Sequence, residues 1–304
     1  MTRSIKKLLA SAATLSLAIP AAACATAQEP AAPVTAAPAA TAGPALWKVS
    51  DEDTTIYLFG TVHALKPDLQ WLNPGLENAI GSADEIVTEV DMATAAQATQ
   101  AAMGSAMLQG TTLRALMTDE NRAEYEAALA TLGVPAGTFD QFEPWFAAVT
   151  LQMLPLMKAG YDPNMGVEKV LVDAADPAVK RTALETIPQQ LGFFDGLPQE
   201  TQLAYLDQSA EGIAELEPML EQMVAEWVEG DAEGLAALVQ EGFSDKTMYD
   251  VLLTQRNDRW ADWIVDRMAQ PGTVFIAVGA GHLAGDTSVQ ALLSQRGVTS
   301  DRVQ

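Results

Sequence analysis

Histidine, cysteine and positive charge are all scarce in this chain. Its 304 residues include two His, one Cys and 17 Lys+Arg against 40 Asp+Glu, a formal net charge of −23. Each shortage excludes something. So acidic a surface repels phosphate backbones, which argues against a nucleic-acid partner. The lone Cys24 has no partner for a disulfide, and it precedes the folded region, so it cannot be a nucleophile within it. There is no Gly-x-Ser-x-Gly elbow, no phosphate-cradling Gly-x-x-x-x-Gly-Lys loop and no His-Glu-x-x-His helix. Gly279-Ala-Gly281 lacks the third glycine of a dinucleotide fingerprint. Beyond the N-terminus no apolar run is long enough for a transmembrane span.

The N-terminus reads as an export signal, so the chain is expected in the periplasm or cell envelope. Arg3, Lys6 and Lys7 form a positive start, and an apolar stretch runs from Leu8 to Ala23. Ala25-Thr26-Ala27 then offers a small-x-small cleavage site before Gln28. Cys24 is either a lipid anchor after cleavage or is removed with the signal; Pro20 and Ala21 before it make a poor lipobox. Residues 1–27 are thus a signal peptide. Residues 28–45, rich in Ala, Pro and Thr, are a linker, and 46–304 are the folded domain.

Strands are expected at both ends of that domain and helices between them. Leu46 to Val49 and Thr54 to Gly60 read as a hairpin, Glu85 to Asp91 as a third strand and Arg181 to Thr186 as a short fourth. Gly272 to Val278 is the most hydrophobic strand. Helical patterning dominates Ala93 to Gly160, and a helix is expected over about Gly166 to Ala174. A helical hairpin follows over Pro198 to Gly242, then one helix over Lys246 to Met268. The last helix has Val289, Leu292 and Leu293 as its apolar face. This order predicts an α/β (α+β) fold: a mixed β-sheet with flanking helices and a large central helical insertion. Twelve methionines, scattered through the helices, read as core filling.

What is present in place of common motifs is one pattern used twice. An apolar strand ends in Gly60-Thr-Val-His63, and another ends in Gly279-Ala-Gly-His282. Glycine lets the chain leave the strand and lets a ligand approach the backbone. One such His is most often a hydrogen-bonded core or loop residue. Two copies that use every His in the chain point to a shared site at the carboxyl ends of the strands, where open α/β sheets bind ligands. Two imidazoles there can seat a divalent metal.

Glu89, flanked by Ile86-Val87-Thr88 and Val90, must pair, bind metal or raise its pKa. Two His and one Glu form a catalytic zinc set with a position left for water. Asp91 shares its face of the strand and could be the ligand instead, whereas a sheet-edge salt bridge is the bland role for Glu89. On the 246–268 helix, Tyr249, Leu252, Leu253, Trp260, Trp263 and Ile264 form an apolar stripe that contains Arg256 and Asn257. A buried arginine needs a carboxylate or an anion. Either Glu89 or Glu185 pairs with it, or it clamps a substrate oxyanion.

The chain resembles the TraB/GumN family, which is related to the Tiki proteases. The resemblance is carried in order by Leu46-Trp-Lys-Val, Tyr57-Leu-Phe-Gly-Thr-Val-His63 and Glu85-Ile-Val-Thr-Glu-Val-Asp91. It continues through Ala183-Leu-Glu-Thr186 with Gln190-Leu191, Arg256-Asn257-Asp-Arg-Trp260 and Val278-Gly-Ala-Gly-His282. One departure is Ile187-Pro188, where relatives tend to be acidic. The resemblance implies metal-dependent proteolysis by two Gly-x-x-His motifs and a glutamate, which here are His63, His282 and Glu89. The expectation is therefore an exported metal-dependent hydrolase, a peptidase acting on a peptide or protein substrate. Glu185 or a spare carboxylate would serve as base and Arg256 would stabilise negative charge. Zinc, manganese, cobalt and iron suit such ligands alike. The alternative is a non-catalytic envelope protein that holds a metal complex, haem or peptide in the same crevice.

Overall fold

A computed structural model describes residues 43–91, 104, 106–243 and 245–304. The expected signal peptide, Cys24 and nearly all of the linker lie outside the described residues, as does most of the stretch from Ala93 to Gly110.

Six strands form one mixed sheet in the order β4-β3-β5-β2-β1-β6. They are β1 (Leu46–Ser50), β2 (Thr54–Thr61), β3 (Glu85–Val90), β4 (Lys180–Glu185), β5 (Gly272–Gly279) and β6 (Asp301–Arg302). The β1–β2 hairpin is antiparallel, closed by Asp51 N–H donating to Thr54 O at 3.1 Å. The central four strands run parallel, with Thr61 opposite Gly279 and Val90 opposite Glu185. That register brings the carboxyl ends of β2, β3, β4 and β5 to one edge.

Strands β3 and β5 are buried on both faces over most of their length, so β5 reads as an apolar run rather than an alternating one. Side chains still sort with the period of two that the pleat imposes. Phe59, Ile86, Phe275 and Ala277 face one layer. That layer holds α1 (Pro74–Gly81), α4 (Val167–Ala174), α7 (Leu216–Glu229) and α8 (Ala232–Gly242). Ile56, Leu58, Val87, Val274, Ile276 and Val278 face the other, built from α10 (Gln255–Met268) and α11 (Val289–Gln295).

The helical insertion has its own core. Leu113, Tyr125, Leu129, Leu151 and Leu206 join α2 (Asp119–Leu132), α3 (Pro144–Lys158) and α6 (Gln199–Glu211). The α/β class with a central helical insertion is therefore what the chain adopts.

Three local departures matter. The expected hairpin over Pro198 to Gly242 is three helices, α6, α7 and α8. The chain leaves α7 at Gly230 in the left-handed conformation (φ 74°), and Asp231 caps α8 by accepting from the Glu233 and Gly234 amides. An additional helix, α5 (Ile187–Asp195), starts at Thr186, whose side chain and that of Gln189 form a capping box. Pro188 falls in its first turn, where the missing N–H has no intrahelical partner to lose, so Ile187-Pro188 is compatible with the helix start. Finally, the helix expected over Lys246 to Met268 is broken into α9 (Lys246–Tyr249), a π-helical stretch (Asp250–Thr254) and α10. The wider stretch ends just before Arg256; such insertions recur at functional sites.

Candidate metal and polar centre

The shared strand edge assembles six polar side chains from five segments. His63 follows β2, Glu89 is near the end of β3, Glu185 closes β4 and His282 lies in the 3₁₀ turn after β5. Arg256 and Asn257 come from the first turn of α10, and both are buried.

Gly279 is the floor of this centre. Its N–H donates to Glu89 Oε2 at 2.7 Å. A methyl group in its place would lie 2.9 Å from Glu89 Oε2, 3.4 Å from His63 Nε2 and 3.6 Å from the His282 ring. The two imidazoles and the carboxylate therefore do meet at one point, and only glycine leaves room for them. Gly60 serves the same end by close packing: a methyl there would lie 3.0 Å from the Ala280 α-carbon. Its carbonyl is held by the Trp227 indole N–H at 2.7 Å.

Arg256 ties the buried side of the centre together. Nε donates to both oxygens of Glu185 at 3.0 and 3.1 Å, and Nη2 to Glu89 Oε1 at 2.5 Å and Glu185 Oε2 at 2.8 Å. Nη1 faces Leu252 O and His282 Nε2, each at 3.0 Å. A guanidinium has five N–H donors, and these contacts use them all. Glu185 also accepts from the Trp260 indole at 3.2 Å and from Gln190, which in turn reaches Glu89 at 2.8 Å. The π-helical stretch supplies the Leu252 carbonyl that completes the set. Of the two roles open to Arg256, carboxylate pairing is the one realised, with Glu89 and Glu185 together.

The state of His282 follows from its neighbours. Arginine can only donate, so Nε2 must accept from Nη1. Nδ1 then carries the proton and donates to Asn257 Oδ1 at 2.5 Å. The Asn257 amide is oriented in turn by donating to Thr287 O at 2.8 Å. Burial pushes this imidazole down to about 3, so it stays neutral, packed at a tilt against Trp260 with a centroid distance of 4.3 Å.

His63 differs in every respect. Its side chain is 70% exposed, and Nδ1 lies 3.1 Å from Glu168 Oε1. The charge of Glu168 raises its pKa to about 9. Burial alone would raise the Glu89 pKa, but His282, Arg256, His63 and the Gly279 N–H together bring it down to about 2.

Glu168 was not anticipated. It sits in the first turn of α4 and is buried beside Val167 and Leu171. Its Oε1 accepts from the Thr61 hydroxyl at 2.5 Å. A carboxylate three residues before Leu171 on an amphipathic helix was the available signal. Gln190 was visible only as part of the family pattern. Asp91, the alternative to Glu89, is exposed just beyond β3. Glu85 is at the amino end of the strand, paired with Lys180 at 2.9 Å and Arg267 at 3.4 Å.

Among the described residues, one group could hold a metal ion with three donors: His63, Glu89 and Glu168, whose ligand atoms lie within 4.8 Å of one another. Imidazole and carboxylate donors suit a divalent cation. Three carboxylates against one arginine favour it electrostatically. The donor set thus fits the metal that the motifs imply.

Comparison with known proteins identifies relatives over most of the chain. The chain is 27% identical over 238 residues to "Uncharacterized protein YbaP" of Escherichia coli (strain K12), covering 78% of this chain and 87% of that protein. The protein of the same name from Shigella flexneri matches equally. An "Uncharacterized protein" of Treponema pallidum (strain Nichols) is 23% identical over 266 residues, 82% of this chain and 80% of that one. No solved structure matches significantly. The family model of the TraB/PrgY/gumN family matches residues 45–302, from the first strand to the last, and the chain belongs to that family.

Proposed function

We propose that this protein is an exported metal-dependent hydrolase that cleaves peptides at the carboxyl edge of its sheet. The observation that carries the reading is the meeting of His63 and Glu89 over the bare α-carbon of Gly279. These two residues would hold the ion. A divalent ion there supplies Lewis-acid polarisation of a carbonyl and a water whose pKa is lowered towards neutrality.

The chain's own residues do the rest. Arg256, spent on Glu89, Glu185, Leu252 O and His282, fixes the Glu89 carboxylate in place. Glu185, engaged by Arg256, Gln190 and Trp260, anchors that guanidinium. His63 is the exposed member, so substrate enters from its side. The net charge of −23 favours neutral or basic substrates. A cavity of about 400 Å³ lined by Phe194, Tyr205, Met223, Phe243 and Leu252 would suit an apolar side chain. Leu252 belongs both to its wall and, through its carbonyl, to Arg256.

The test is cleavage of a mixed peptide library with Mn²⁺, Co²⁺ or Zn²⁺, with and without chelator. Cleavage that chelator and His63→Ala both abolish is expected. Cleavage unaffected by either would refute the proposal. The same apolar cavity is what favours the second reading, a binding protein for a metal complex, haem or peptide. That reading predicts saturable binding with no product under any of these ions. Export rests on the N-terminal sequence, and no helix among the described residues is long and apolar enough to cross a membrane. Fractionation of cells producing the full chain would test it, and retention in the cytoplasm would refute it.

A further inference from the structure

We infer that Glu168, and not the second motif histidine, is the third cation donor of this centre, and that His282 serves as the hydrogen-bond acceptor that completes Arg256. The inference rests on the metal-dependent reading above and changes which residues hold the ion.

The geometry separates the two candidates. A neutral imidazole has one lone pair for a metal, and that of His282 Nε2 is directed at Arg256 Nη1, 3.0 Å away. An ion on that nitrogen would occupy the place of a guanidinium that cannot give up its charge. The other nitrogen is committed to Asn257, whose amide is fixed from behind by Thr287 O. The ring is buried and packed against Trp260. Freeing it would break two hydrogen bonds and leave a buried arginine donor unpaired.

Glu168 has the opposite position. Its oxygen already lies 3.1 Å from the His63 ring, and His63, Glu89 and Glu168 each offer one donor atom, all within 4.8 Å of one another. Ligand atoms about 2.1 Å from an ion stand about 3.4 Å apart in a tetrahedral site, so the three donors lie near the spacing an ion needs. The carboxylate is also preorganised. The Val167 N–H donates to Val62 O at 2.9 Å, and the Thr61 hydroxyl donates to Glu168 itself. These contacts lock the first turn of α4 to the end of β2. Gly166 allows that contact, since a methyl there would lie 2.4 Å from the His63 carbonyl oxygen. Such outer contacts hold a ligand in its binding orientation.

The experiment measures metal binding rather than turnover. The purified protein and its Glu168→Gln, Glu168→Asp, His282→Gln and His63→Ala variants are titrated calorimetrically with Zn²⁺, Mn²⁺ and Co²⁺. Stoichiometry is read by elemental analysis after dialysis, and folding by circular dichroism and thermal melting. One equivalent in the wild type is expected, with affinity lowered at least tenfold in Glu168→Gln and in His63→Ala. His282→Gln, which keeps an acceptor for Arg256, should stay within about threefold of wild type. Glu168→Asp, which keeps the charge but shortens the reach, should fold normally and bind more weakly than wild type. Wild-type affinity in folded Glu168→Gln, with loss in folded His282→Gln, would overturn the inference and leave the metal-dependent reading standing. No uptake of any of these ions by the wild type would overturn both.

Discussion

Replacing Arg256 with methionine gives the most direct test of how this centre is held. The substitution keeps length and apolar volume but removes the only buried cation between Glu89 and Glu185 among the described residues. Removing one partner of a buried ion pair costs about 3–5 kcal/mol, because the remaining charge is left uncompensated. Here two carboxylates are left, so the upper part of that range is expected. For a domain of this size each kcal/mol corresponds to about 2–4 °C, so melting should fall by about 10–20 °C. The loss must also depend on pH with a definite sign. In the wild type Glu89 titrates at about 2 against 4.5 for a free glutamate. Its contribution to stability is present above 4.5 and is lost as pH falls towards 2. Without Arg256, one of the groups that lower the Glu89 pKa is gone while burial still raises it, so the folded pKa moves up from about 2. The deficit then shrinks as acid neutralises the carboxylate below about pH 5. Denaturant unfolding at several pH values measures this directly. Adding Glu185→Gln should recover part of the deficit, since the two sites share one guanidinium. A deficit below about 1 kcal/mol, or one that is constant with pH, would refute the reasoning.

Two further outcomes follow from the same contacts. Gly166→Ala places a methyl against the His63 carbonyl oxygen and should cost about 1–3 kcal/mol while weakening metal binding; wild-type melting and affinity would show that the loop yields freely. The two histidines should bend the pH profile of stability in opposite directions, measured by melting in chelator from pH 4.5 to 9.5. His282 titrates at about 3 when folded against 6.5 when free, so its contribution is present above 6.5 and lost as pH falls. His63 is raised to about 9, so its pairing with Glu168 contributes below 6.5 and is lost as pH rises through 9, modestly because the ring is exposed. His282→Gln should flatten the acid limb and His63→Ala the alkaline one; identical profiles in all three proteins would sink the assignment.

Much of this was legible in the chain because it depends on local rules. Apolar strands ending in Gly-x-x-His, with helices between them, imply parallel strands whose carboxyl ends share an edge. The chain alone therefore places His63, Glu89, Glu185 and His282 together. The apolar stripe of the 246–268 segment marked Arg256 as buried and in need of a carboxylate. Its break was not legible, because a π-helical stretch leaves the surrounding helical pattern nearly intact. Glu168 was missed because it lies 105 positions from His63, and nothing near it in the chain reports which strand end its helix touches.

Sequence alone determined the fold class, the edge at which the chemistry would lie and the residue types available there. Those properties follow from hydrophobic period, glycine placement and the scarcity of histidine. Tertiary structure decided how two chemically identical histidines divide their roles. Packing α10 against the sheet buries His282 between Trp260, Asn257 and Arg256 and keeps it neutral. Docking α4 on the end of β2 sets a carboxylate beside an exposed His63 and keeps it basic. Local sequence cannot carry that distinction, because an imidazole takes its charge and its partners from groups that only the folded chain brings within a few ångströms.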